Sequence, residues 1–284
     1  CAKIAEETQA PLYIVESDAT LAYILNVTGQ FGDEIVARLA RAPQVYDDNE
    51  AACRDNWSEA NAKSSALSVA PLALQQMGET EAARRAYRSA LAWARGIKRP
   101  FDLAHTLCFT SSYLILCGEF EQALKEAREA VAICEAHGFG TWLQSARAHS
   151  AIAMSELGEV EEAREIIHSV MAAWRKAGCG SLLGLFTQAL AKIEAQLGRL
   201  DEGLRLADEA IAVNLQNHDF VNLPGAYETR AMIRLASPHG DPALAEEDLE
   251  QALETARSQN ALGSARRIAA RLAALRARQG AAAG

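Results

Sequence analysis

A glycine returns every 40 residues through most of this chain, and that spacing leaves few folds open. Four stretches superpose without gaps: QMGETEAARRAYRSAL around Gly78, LCGEFEQALKEAREAV around Gly118, ELGEVEEAREIIHSVM around Gly158 and QLGRLDEGLRLADEAI around Gly198. A step of 42 residues continues the series to Gly240, in HGDPALAEEDLEQAL, and another 40 reach Gly280. Such a period marks units that cannot bury their apolar faces alone and therefore stack. Backwards, APLYIVESDATLAYILNVTGQF from Ala10 to Phe31 matches RPFDLAHTLCFTSSYLILCGEF from Arg99 to Phe120, so Gly29 is one more turn. The 49 residues from Gly29 to Gly78 exceed one period by nine, and the polar run VYDDNE at 45–50 reads as the loop that absorbs them.

Within each unit the spacing is helical. The fifth residue after the glycine is Ala83, Ala123, Ala163, Gly203 or Ala245, and the twelfth is Ala90, Ala130, Val170, Ala210 or Ala252. Small side chains thus recur where two helices must come close. Glu79, Glu119 and Asp241 open the second helix, where the helix dipole favours a negative charge. Leu25, Leu74, Leu114 and Met154 stand before the turn, but the next equivalent is Glu194, where register or packing is expected to slip. Each glycine therefore joins a first helix of about 17 residues to a second of about 18. The reading is an all-α chain, an α-solenoid of stacked antiparallel hairpins with about fourteen helices. It forms a single domain over 1–284, with hairpin turns near Gly29, Gly78, Gly118, Gly158, Gly198 and Gly240. Pro71, inside a first helix, is expected to kink it. Residues 1–8 read as the second helix of a missing unit, GAAAG stops where another second helix should begin, and Ile268, Leu272 and Leu275 need covering. A fragment of a larger protein is the expectation.

Composition narrows the chemistry. Lys and Arg number 28 against 37 Asp and Glu, for a net charge of -9, and the cations are scattered among carboxylates. Nucleic-acid binding needs a concentrated basic surface, so no nucleic-acid partner is expected. No run of about 20 uninterrupted apolar residues is present, so membrane insertion is not expected. The six cysteines, Cys1, Cys53, Cys108, Cys117, Cys134 and Cys179, form no CxxC pair and read as reduced thiols of a cytoplasmic protein. The alternative for Cys1 is a lipid-anchored N-terminus, beside the plainer reading of a cut end.

Catalytic motifs are absent: the sequence holds no GxxxxGK, GxGxxG, HExxH, calcium loop or GxSxG. AGCGSLLG at 177–184 could dock an anion before a helix, but no lysine accompanies it, and closure of one hairpin onto the next is preferred. His105 and Cys108 could share a helix face, yet two ligands make no metal site. His137, His149, His168, His218 and His239 read as solvated or capping residues. Asn26-Val27-Thr28 and Asn56-Trp57-Ser58 match the glycosylation pattern by chance on helices. EQALKEAREA at 121–130 reads as a solvated face with i,i+4 ion pairs.

The small-residue spacing after the turn in ELGEVEEA and LCGEFEQA resembles the tetratricopeptide repeat family in its 40-residue variety, over about residues 10–280. More narrowly, the order TGQF, VYDDNEAAC, ALAWARGIKRPFDLAHTLCF, AICEAHGFGTWLQSARAHSAIAMSELG and RLASPHGDPALAEEDLEQALETARSQNALG resembles the C-terminal repeat region of bacterial multidomain signalling proteins. In those proteins a class III adenylate or guanylate cyclase, or another effector or DNA-binding domain, is joined through a STAND-type ATPase to such repeats. The resemblance implies a right-handed superhelix and a cytoplasmic, bacterial regulatory arm. It places on the concave surface the residues thirteen, ten, six and three before each turn glycine. These are Ser65, Ser68, Leu72 and Gln75; His105, Cys108, Ser112 and Ile115; Ser145, Ala148, Ile152 and Ser155; Leu185, Gln188, Lys192 and Ala195.

That lining is small, neutral and partly apolar. The Lys and Asn set by which some family members clamp a peptide carboxylate is replaced here by Ser68, Cys108, Leu72 and Ser112. The expected function is a non-catalytic protein–protein interaction and regulatory scaffold, holding a helical or extended peptide, or another domain of its parent, through apolar anchors. The alternative is a ligand-sensing arm controlling a cyclase or STAND ATPase, with a pocket around His105, Ser112, Gln188 or Lys192. Neither reading implies a cofactor, a metal or turnover by this chain.

Overall fold

The computed structural model describes residues 2–54 and 60–283. Cys1 and the Asn56-Trp57-Ser58 triplet lie outside them. Among the described residues every regular element is a helix. Contacts divide the chain into two compact units, one of residues up to Asn26 with Gln30–Ala153, the other of Val27–Gly29 with residues from Met154 onward. The period alone suggests one continuous run.

The first unit holds α1 (Ala2–Thr8), α2 (Pro11–Val27), α3 (Asp33–Asp48), α4 (Glu50–Cys53), α5 (Ala62–Gln76), α6 (Thr80–Gly96), α7 (Pro100–Cys117), α8 (Phe120–His137) and most of α9 (Gly140–Glu156). The second holds the end of α9, then α10 (Val160–Lys176), α11 (Leu183–Gln196), α12 (Leu200–Gln216), a 3-10 turn at Phe220–Asn222, α13 (Leu223–Ala236), α14 (Pro242–Ser258) and α15 (Leu262–Ala283). In each unit consecutive helices pack as antiparallel hairpins, α5 on α6 and α7 on α8, α11 on α12 and α13 on α14. First helices also pack on first helices, α5 on α7 and α11 on α13. This is the stacked-hairpin architecture of tetratricopeptide-like repeats.

Backbone chemistry explains why the turns repeat. Gly78, Gly118, Gly158 and Gly198 all have φ between 76° and 94°, a left-handed conformation that closes a helix without a Cβ clash. The amide after each glycine then donates to the carbonyl five residues back, Glu79 to Leu74, Glu119 to Leu114, Glu159 to Met154 and Arg199 to Glu194, all at 2.9 Å. Gly240 is required for another reason: a Cβ there would stand 1.7 Å from the Arg234 carbonyl oxygen. Asp241 beside it caps α14, its carboxylate accepting from Ala243 N at 2.8 Å, with Pro242 at the first helical position.

The small residues sit where hairpins touch. Ala83, Ala123, Ala163, Ala245, Ala130, Ala210 and Ala252 are fully buried. At Gly203 a Cβ would approach the Ala191 carbonyl oxygen to 3.1 Å, so glycine there spares a crowded contact with α11. Around these contacts the core is filled by Leu107, Tyr113 and Leu114 in one unit and Phe186, Ile193, Leu249 and Ile268 in the other. Truncating any of the large ones to alanine costs about 2–5 kcal/mol.

Four expectations are corrected. The VYDDNE run is not a loop: α3 continues to Asp48, Asn49 alone breaks the helix, and α4 restarts at Glu50. Tyr46 drives this, because its ring is buried against Trp93 (centroids 5.7 Å apart) and its hydroxyl accepts from Asn61 Nδ2 at 2.9 Å. Gly280 is no turn but lies inside α15. Ile268, Leu272 and Leu275 are not left bare; they are buried in the second unit, in which α15 packs on α14. Nor does register slip at Glu194, whose backbone closes its turn like the others. Pro71 lies inside α5, which continues past it to Gln76.

Glu194 keeps its place because its charge is answered. The side chain is buried and accepts from Arg164 Nε at 2.5 Å and Arg199 Nη1 at 2.9 Å, with His168 Nε2 3.7 Å away. Arg199 stands where Glu119 and Glu159 stand in earlier units, so the Leu–Glu pair of one turn becomes a Glu–Arg pair in another. Burial pushes the Glu194 carboxyl up, but the hydrogen bonds from Arg164 and Arg199 outweigh it and leave it below the ordinary glutamate value.

Candidate partner-binding face

The residues expected to line a groove separate by row. Six before the turn, Leu72, Ser112 and Ile152 in the first unit are half-buried and Lys192 in the second is exposed. Ten before it, Ser68, Cys108, Ala148 and Gln188 are all buried. Ser68 bonds the Ser64 carbonyl at 2.7 Å and Thr106 Oγ1 at 3.0 Å, Cys108 Sγ donates to the Trp142 carbonyl at 3.6 Å, and Gln188 Nε2 donates to Thr229 Oγ1 at 3.0 Å. These three side chains tie one first helix to another rather than facing a partner. At thirteen, His105 and Ser145 are buried while Ser65 and Leu185 are half-open; at three, Ser155 is buried and Gln75, Ile115 and Ala195 are half-open.

What the accessible side of the first unit presents is aromatic. Phe101, His105 and Phe109 follow one another at i, i+4 and i+8 on α7, so they share a stripe with Ser112 and Leu116. His105 stands between two rings, 4.9 Å from Phe109 and 4.6 Å from Trp142 of α9, the latter edge to face. Phe101 meets Trp142 at 6.3 Å and Phe139 at 5.0 Å, and Tyr23 of α2 reaches Phe109 at 6.1 Å although α5 lies between them in sequence. Tyr23, Phe101, Phe109, Phe139 and Trp142 are all half-buried. Each therefore keeps part of its ring for a ligand, and aromatic faces of this kind carry much of the energy in interfaces.

His105 itself is buried, and burial pushes its imidazole down to about 4, so it is neutral at pH 7. Its Nδ1 is buried without a hydrogen-bond partner. Cys108, one turn along, is no nucleophile, because burial raises its thiol. Among the described residues no group of three His, Cys, Asp or Glu side chains converges to hold a metal ion. His149 departs from the solvated reading: it is buried, its Nδ1 lies 3.1 Å from Ser111 Oγ, and burial lowers it to about 4. His137, His168, His218 and His239 are exposed.

Other candidate sites are already engaged. In the 177–184 loop, Asn217 Nδ2 donates to the Gly180 carbonyl at 2.8 Å, Trp174 Nε1 to the Ser181 carbonyl at 2.6 Å, and the Leu182 amide to the Asp219 carboxylate at 3.3 Å. A carboxylate on its amide suits hairpin closure, not an anion dock. Asn26 is buried, which leaves its amide no room for a glycan. An open cavity of about 250 Å³ lies between α1 and α3, lined by Glu6, Glu34, Ala37, Arg38 and Arg41. Its guanidiniums are held by the fully buried Asp18, Arg38 Nη1 at 2.8 Å and Arg41 Nε at 2.6 Å. No described helix is long and apolar enough to cross a membrane.

No family model matches the chain, and no curated protein matches it in sequence. Its likenesses are structural. A Rap protein complexed with Competence and Sporulation Factor superposes with a TM-score of 0.60 at 13% identity, over 94% of this chain and 75% of that one. The apo form of RapI gives 0.55 at 14% identity, over 84% and 91%. BtubC (BKLC) from P. vanneervenii gives 0.52 at 15% identity, over 87% and 92%. At such identities the likeness is one of fold.

Proposed function

We propose that this chain is a non-catalytic interaction scaffold whose first-helix face in the N-terminal unit holds a helical or extended segment, from a separate protein or from its own parent, through apolar and aromatic anchors. The observation that carries the reading is the half-exposed array of Phe101, Phe109 and Trp142 around a neutral His105, in a unit whose α5 and α9 also leave Leu72 and Ile152 half-open. Such a surface gains free energy by excluding water, about 25 cal/mol per Å² of apolar area covered. It offers no nucleophile and base pair. A Rap protein of the same fold, crystallised with Competence and Sporulation Factor, supports the idea that this architecture can accommodate a bound factor.

A ligand-sensing arm for a cyclase or STAND ATPase requires convergent polar groups in a pocket, and the α1–α3 cavity offers guanidiniums already paired to Asp18. Selection of displayed random peptides on the full chain tests the interaction reading. Recovered peptides are expected to carry spaced apolar or aromatic residues and to lose binding to Leu72→Asp, Phe109→Asp and Ile152→Asp, with helical circular dichroism unchanged. Peptides that bind all three variants as they bind the wild type would place the working surface elsewhere.

A further inference from the structure

The second unit carries a charge pattern that the aromatic face does not use. α15 bears five arginines, Arg266, Arg267, Arg271, Arg276 and Arg278, and no acid, in a chain of net charge -9. At 100° per residue, Arg267, Arg271 and Arg278 fall within about 40° of one another, on one edge of the buried Ile268–Leu275 stripe. Arg267 and Arg271 reach the buried Glu228 of α13, Arg271 Nε standing 3.0 Å from its Oε1. Lys192 of α11 is exposed and couples electrostatically to Glu156, Glu228, Arg267 and Arg271. Neither Lys192 nor Arg278 has an ion-pair partner among the described residues. The cluster is therefore short of negative charge.

We propose that Lys192, Arg267, Arg271 and Arg278 dock a short acidic segment of a partner protein, whose carboxylates bridge the lysine and the arginines. Four cations less Glu228 and Glu156 leave a surplus of two, which suits one or two carboxylates presented to guanidinium forks. A nucleic acid places a charge about every 1.7 Å along a duplex and would run beyond this patch onto an acidic protein. The proposal goes beyond the aromatic face and does not depend on it, because its residues belong to the other unit.

Fluorescence anisotropy of a labelled oligoglutamate titrated into the full chain at low salt tests it. Saturable binding that weakens as salt is added is expected, and Lys192→Gln with Arg278→Gln should weaken it about tenfold, because two unpaired charges are removed. Lys125→Gln, on an exposed face of α8, should leave it unchanged. Glu228→Gln releases the two inner arginines and should tighten binding, an effect that mere misfolding cannot produce. Absence of saturable binding, indifference to the double substitution, or stronger competition by oligothymidylate or inorganic phosphate than by unlabelled oligoglutamate overturns the proposal. Retained peptide selection on the aromatic face alongside any of those results leaves the scaffold reading intact.

Discussion

Glu194 offers a sharp test of what holds the hairpins together. Its carboxylate is 2% exposed, whereas Arg164 and Arg199 are 36% and 52% exposed, so the two sides of the cluster respond differently to mutation. Removing both arginines, Arg164→Ala with Arg199→Ala, strands a buried charge beside His168 and is expected to cost about 3–5 kcal/mol. Glu194→Leu restores the residue type of Leu74 and Leu114 and lets both arginines turn to water. Its expected change is within about 1 kcal/mol of zero, because buried ion pairs exchange for apolar groups at little net loss. The triple variant should then recover about 2 kcal/mol or more relative to the double, since the stranded charge is gone. Urea unfolding at pH 7 reads each value from the midpoint, with an unchanged slope showing that the same surface unfolds.

Acid adds a sign. In the wild type the carboxyl lies below its unfolded value, so the cluster's contribution is complete above that value, about 4.3, and is lost as pH falls through the folded one. In the double variant only burial remains, the folded pKa rises above the unfolded one, and acidification should relieve part of the loss. A Glu194→Leu protein that loses 3 kcal/mol or more, while the double arginine variant loses under 1, would refute the reasoning.

Two further predictions concern titration. His105 and His149 are each held near 4 against about 6.5 when unfolded, so the unfolded chain binds more protons between those values and stability should fall as pH drops from 6.5 toward 4. His105→Phe should flatten that decline in urea midpoints by about 1–3 kcal/mol, and an unchanged slope would count against a neutral buried imidazole. Asp219 acts oppositely: burial raises its carboxyl to about 6, the folded state holds the extra proton, and stability is lost as pH rises from about 4 to 6. Asp219→Asn should remove that loss and stabilise the protein at pH 7 by about 1–2 kcal/mol, and destabilisation of that size would contradict it.

The hairpins were legible because their signals are local. A left-handed glycine and a small residue five positions later are each fixed by backbone geometry within a few residues. Glu194 was misleading for the opposite reason: its answering charge on Arg164 is 30 residues away, on another hairpin. VYDDNE looked like a loop because polarity outweighed the single Tyr46 that anchors it. Counting back from the glycine gave the open row of Leu72, Ser112, Ile152 and Lys192, but Ser68, Cys108, Ala148 and Gln188 turn inward, as the resemblance alone did not reveal. Phe101 and Phe109 were missed, although their spacing around His105 marks one face of a helix. The basic edge of α15 was also missed, because net charge averages over the whole chain.

The rungs between hairpins have a bearing on how such an array can change length. Arg84 holds Glu119 and Arg95 holds Glu129 at 2.7 Å, and each rung crosses a boundary drawn from glycine to glycine. Excising one period, 119–158, would bring Glu159 opposite Arg84 but Ser169 opposite Arg95. One clasp would be renewed and the other undone. The modules are interchangeable in their main chain yet keyed by their charges, so a shortened or lengthened array assembles best when whole periods move together with the partners they were fitted to.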